Sequence, residues 1–86
     1  MMIPTVHRNG TSREALVEQM RGAADAVDQA IQALQETTPN RRDYYPQGEQ
    51  ALELACEEYR QRLLAVRQVH ADLMLLWQGI VDQIPG

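Results

Sequence analysis

Residues 52–80, LELACEEYRQRLLAVRQVHADLMLLWQGI, decide the fold. Leu52, Cys56, Tyr59, Leu63, Val66, His70, Leu73, Trp77 and Ile80 follow one another at alternating spacings of four and three residues, and Ile84 continues the series. Such a period keeps the side chains on one face of a helix, and that face must be covered by another element. Towards its end the pattern broadens, because LMLLW (residues 73–77) is apolar around most of the helix circumference. At about 100° per residue, Leu64 and Leu75 stand roughly opposite Val66 and Leu73, so a single neighbouring helix cannot cover both faces.

Upstream lies the connector TPNRRDYYPQG, residues 38–48. Pro39 restricts Thr38 and supplies no amide, so the preceding helix should stop near Thr37. Pro46 suits the first turn of the following helix. The earlier helix carries its own seam, Leu16, Met20, Ala23, Val27, Ala30 and Leu34, widened by Val17, Ala24 and Ile31. Thr11 and Glu14 fit a capping box at its start. Before it, Pro4 disfavours helix at Ile3 and Asn9-Gly10 is a turn dipeptide, so residues 1–10 read as an extended arm.

The predicted architecture is all-α: an antiparallel two-helix hairpin with an extended N-terminal arm, in a single domain. Its parts are the arm 1–10, helix one about 11–37, connector 38–46 and helix two about 47–84. At about 1.5 Å per residue the helices span roughly 39 and 56 Å. A reversal centred on the connector pairs residues whose numbers sum to about 84, which sets Ser12 near Asp72 and Leu16 near Gln68. Residues beyond about 74 then have no partner in helix one. Met1, Ile3 and Val6 of the arm cover part of that region, and further protomers are expected to cover the rest, as a helical bundle built from a dimer or a dimer of dimers.

Composition narrows the function. The chain of 86 residues is near the size at which one chain struggles to bury enough surface alone. The net charge of −4 argues against a duplex nucleic-acid binder, which needs a basic face. A single cysteine, Cys56, excludes an intramolecular disulfide and fits a reducing compartment. With no leader-like start and no apolar run long enough to span a bilayer, the expected location is the cytoplasm. No Gly-rich phosphate loop, HExxH or Cys/His metal spacing occurs, no cofactor or metal is expected, and nothing nominates a catalytic set.

Three groups of residues remain for binding. The first is HRNGTSRE, residues 7–14. Free amides at a helix start attract phosphate or carboxylate, and His7, Arg8, Asn9, Thr11 and Ser12 add donors and charge. Capping alone accounts for Thr11 and Glu14. The second is Arg67 with His70, one turn apart. Arg67 has no carboxylate three or four residues away, whereas Glu57 precedes Arg60 by three and Glu58 precedes Arg62 by four. The third is NRRDYY, residues 40–45, where Arg42 can clamp a phosphate and Tyr44 and Tyr45 offer rings for a nucleobase. Read plainly, the same connector simply closes the end of the bundle. Within one chain the first and third groups lie a helix length apart, so a shared pocket would be composite between protomers.

HRNGTSREAL and PNRRDYYPQG, with one helix between them and EEYRQRL after them, resemble a family of small phage and prophage proteins. In size, all-helical build and implied oligomerisation the chain is also similar to phage sponge proteins, which counter bacterial immunity by sequestering cyclic nucleotide signals. That resemblance implies non-catalytic binding of a small phosphorylated nucleotide at protomer interfaces, in the host cytoplasm. The alternative is an oligomeric structural or adaptor protein that presents a helical surface, notably around Leu64, Ala71 and Leu75, to a protein partner.

Overall fold

The structure, a computed structural model, describes residues 1–83. The second helix ends at Val81 with Asp82 as its C-cap, three residues short of the expected end at Ile84; Ile84 itself and the expected stop at Pro85-Gly86 lie outside the described residues. Two long helices, α1 (Arg13–Gln35) and α2 (Glu49–Val81), pack as an antiparallel hairpin, with one 3₁₀ turn (Arg41–Tyr44) between them and no strand among the described residues. All nine described members of the α2 seam are half-buried or buried.

In α1 the true seam is shifted. Ala24 and Ile31 are buried and Met20, Val27 and Leu34 half-buried, whereas Ala23 and Ala30 face solvent. The observed seam keeps the same alternation of four and three but in the opposite phase, so Ala24 and Ile31, which only widened the expected stripe, become its centre.

Both helix starts differ from expectation. Ser12, not Thr11, caps α1: its hydroxyl accepts from the Ala15 amide at 3.1 Å. Glu14 therefore falls at the second helical position, and the capping box does not form. At the other end, the Thr37 and Thr38 hydroxyls donate to the carbonyls of Leu34 and Gln35 at 2.6 Å, closing the last turn before Pro39. Helix α2 begins at Glu49 after Gly48, whose φ of 97° suits glycine, so Pro46 sits in the preceding turn rather than in the helix.

The register corrects the expected pairing. The Arg13 guanidinium donates to the Val81 carbonyl at 2.5 Å, and the Tyr59 hydroxyl donates to Thr38 Oγ1 at 3.1 Å. Facing residues thus sum to about 94–97 by these two contacts, not to 84. The shift arises because the connector does not reverse the chain at its own midpoint. It folds back along the first turns of α2, held by the Arg41–Glu49 ion pair at 2.8 Å. Helix α1 therefore lies against LMLLW, and the overhanging part of α2 is its N-terminal third. Arg13 also sets a cation at the negative end of the α2 dipole, a favourable placement.

The arm docks on the C-terminal end of α2, along its flank at Gly79 and Gln83. Gln83 grips it like a strand neighbour: its amide accepts from Val6 N–H at 2.6 Å and donates to the Pro4 carbonyl at 2.6 Å. Ile3 fills the notch left by Gly79, its Cδ1 only 2.6 Å from where a Cβ would stand.

Even so the hairpin buries little. Only Ala24, Ile31 and Ile80 are buried among the described residues, while Leu54, Leu64 and Leu75 are about 60% exposed. The radius of gyration is 18.9 Å, against about 12 Å for a compact chain of this length. The exposed area is 6472 Å², about 1,300 Å² more than the roughly 5,200 Å² of a compact protein of 9.8 kDa.

Gly22 offers a clean stability test. It lies inside α1, and a Cβ there would meet nothing within 4 Å. Gly22→Ala removes backbone freedom from the unfolded chain at no steric cost, so it stabilises by about 0.8–1 kcal/mol. Thermal denaturation followed by circular dichroism should show the midpoint rising by about 4–8 °C.

Candidate functional site: the connector end of the hairpin

Side-chain chemistry gathers at the connector. Asn40 starts the 3₁₀ turn, its side-chain oxygen accepting from the Arg42 amide at 3.0 Å. The Tyr44 carbonyl then accepts from the amides of Gln47 and Gly48, which folds the segment back onto α2. As a result Tyr44 becomes a half-buried wall between two open clefts. One, of about 180 Å³, is lined by Arg41, Tyr44, Tyr45, Gly48, Glu49 and Leu52. The other, of about 230 Å³, runs along Tyr44, Ala51, Leu54, Glu58 and Arg62.

Both volumes lie below the roughly 300–1,000 Å³ of small-molecule pockets, and both clefts are open on one side. A planar ring could lie against Tyr44, with Tyr45, 66% exposed, free to swing over it. The nearby cations are not equivalent. Arg41 is committed to Glu49, whereas Arg42 and Arg62 make no ion pair among the described residues. Arg62 was missed at the sequence level because Glu58 stands four residues before it. That expected pair does not form, while the Arg60–Glu57 pair does, at 2.8 Å. Hydrogen bonds from Arg60 and then Gln61 hold the Glu57 carboxyl below its ordinary pKa.

The other candidates lie elsewhere. His7, Arg8 and Asn9 form the turn at the base of the arm, where the Gly10 amide donates to the His7 carbonyl at 3.2 Å and the His7 ring folds over Gly10. Thr11 and Ser12 follow directly, and Ser12 is occupied as the cap. This polar group sits beside the C-terminal end of α2. Arg67 does not join it. Arg67 is fourteen residues before Val81 on the same helix, about 21 Å away along the axis. The expected convergence of Arg8 and Arg67 depended on the tighter register and does not occur within the chain. Arg42, Tyr44 and Tyr45 are separated from the arm base by at least the length of α1, about 35 Å.

A further cleft, not foreseen, opens between the helices beside Arg21, Ala24, Asp25, Met74 and Trp77. Among the described residues there is no cluster of side chains able to hold a metal ion, and no helix is long and apolar enough to cross a membrane. No family model, curated protein or solved structure matches the chain.

Proposed function

We propose that the chain is a non-catalytic binding protein that sequesters a small phosphorylated nucleotide, in the manner of the phage sponge proteins it resembles. The observation that carries this reading is the connector end, where Tyr44 forms a wall between two open clefts and Arg42 and Arg62 make no ion pair among the described residues. A base stacks on Tyr44 or Tyr45, a contact of about 1–3 kcal/mol, and the arginines take the phosphates. The arm group, His7, Arg8, Asn9, Thr11 and Ser12, contributes from a neighbouring protomer. Arg67 lies too far along α2 to act with the arm group of its own chain.

Isothermal titration calorimetry against cyclic dinucleotides, cyclic trinucleotides and cyclic ADP-ribose isomers tests the reading. Binding tighter than about 10 μM is expected for at least one ligand, recovered chemically unchanged, with Tyr44→Ala weakening it about 10- to 100-fold. Absence of any binding below about 100 μM across the panel rejects it.

A second reading, an adaptor for a protein partner, is favoured by the exposure of Leu64 and Leu75 on the face of α2 turned away from α1.

A further inference from the structure

The outer face of α2 carries a second seam. Gln61, Leu64, Gln68, Ala71, Leu75 and Gln78 are all exposed, and none is charged. Their spacings of three, four, three, four and three residues read the same in both directions. The glutamines are fixed along the helix, Gln61 donating to Glu57, Gln68 to Asp72 and Gln78 to Asp82. A seam that is unchanged on reversal is what a two-fold axis across the helix requires, because each residue then meets a defined partner on the other copy. About a centre between Val69 and His70, Leu64 faces Leu75 and the small Ala71 leaves room for the long Gln68 of the other copy. The seam ends where charge returns, at Glu57 and Asp82.

Surface area favours the same occupant. The excess exposure of about 1,300 Å² exceeds the roughly 800 Å² that each partner buries in a standard interface.

We infer that α2 pairs antiparallel with α2 of a second copy along this seam, which sets the arm of one copy beside the connector cleft of the other. In this pairing, residues whose numbers sum to about 139 face each other. The arm, held at Gly79 and Gln83, therefore reaches the level of about residues 56–60 of the second copy. That is the level of Leu54, Glu58 and Arg62, which line the larger cleft. At about 100° per residue, Gly79 and Gln83 also lie on the same flank of the seam as those three residues, and in an antiparallel pair like flanks meet. His7 and Arg8 of one copy are thereby carried towards Tyr44 of the other. The pairing stands independently of the nucleotide; only the composite pocket rests on the proposed function.

Cross-linking tests the pairing on a Cys56→Ser background. A mixture of Leu64→Cys and Leu75→Cys chains should form a covalent heterodimer under mild oxidation, whereas either variant alone should cross-link at least about 10-fold more slowly. Sedimentation equilibrium of the unmodified chain should give twice the 9.8 kDa chain mass. Leu75→Glu should weaken the dimer by about 100-fold while the helical circular-dichroism signal is retained, since the position is exposed. A monomer at 100 μM overturns the inference, as does Leu64→Cys cross-linking with itself as fast as with Leu75→Cys. A dimer that cross-links as expected but binds no nucleotide upholds the pairing and rejects the proposed ligand. Nucleotide binding of equal strength by the wild type and by monomeric Leu75→Glu overturns the composite pocket.

Discussion

Ile80→Ala is expected to remove most of the stability of this chain. Ile80 is fully buried, the largest side chain in that state among the described residues, and it sits where α1, α2 and the arm's docking region come together. Truncating a buried isoleucine costs about 2–5 kcal/mol, from lost transfer energy and from the cavity left behind. An 86-residue chain has roughly 4–13 kcal/mol in total, and three buried residues put this one near the lower bound. Urea titration at 222 nm should show the midpoint falling by about 2 M or more, given a slope near 1 kcal/mol per molar. Ile80→Val keeps most of the volume and should cost only about 0.5–1.5 kcal/mol. Equal midpoints for the two variants would mean that the junction is loosely packed.

The second large effect is at Ala24. With 2% exposure it marks the close approach of α1 to α2, beside Met74 and Trp77. Ala24→Asp places a carboxylate in that contact without a cationic partner across the interface, and an uncompensated buried charge costs several kcal/mol. Arg21, one turn earlier on α1 and also beside the cleft, limits the damage only by drawing the carboxylate outward. The charged form is the one disfavoured by burial, so the folded-state pKa of this aspartate rises above its unfolded value. Stability is then lost as pH rises through that range and partly regained on acidification. Helical signal near pH 4.5 well above that at pH 7.5 is the expected result. An unchanged signal at both values would show that the contact opens readily into the neighbouring cleft.

Much of the fold is legible in the chain because helix seams depend on local spacing. The α2 seam from Leu52 to Ile80 is read directly, and so is the exposed back defined by Leu64 and Leu75. The α1 seam is read less well, since alanines carry little signal: Ala23 and Ala24 differ in the sequence only by position, yet one faces solvent and the other α2. Thr11 and Ser12 are both competent caps, and the spacing alone does not choose between them; Ser12 takes the role in the structure.

The candidate site divides in the same way. Tyr44, Tyr45 and Arg42 are recognisable as residue types able to hold a base and a phosphate, but the wall that Tyr44 forms exists only after the connector folds back on α2. Arg62 became a candidate only when Glu58 was found not to pair with it. Arg67 left the arm group because the register moved by about ten residues or more, or at least roughly 15 Å along the helix.

What the sequence by itself determined is the helical hairpin, its arm and the apolar faces, all consequences of residue periodicity and of Pro and Gly placement. Register was decided by the tertiary structure alone. Two amphipathic helices can slide past one another by whole turns with similar burial, and only specific contacts select among those positions. Here Arg13 on the Val81 carbonyl and the Thr38–Tyr59 hydrogen bond mark the position selected.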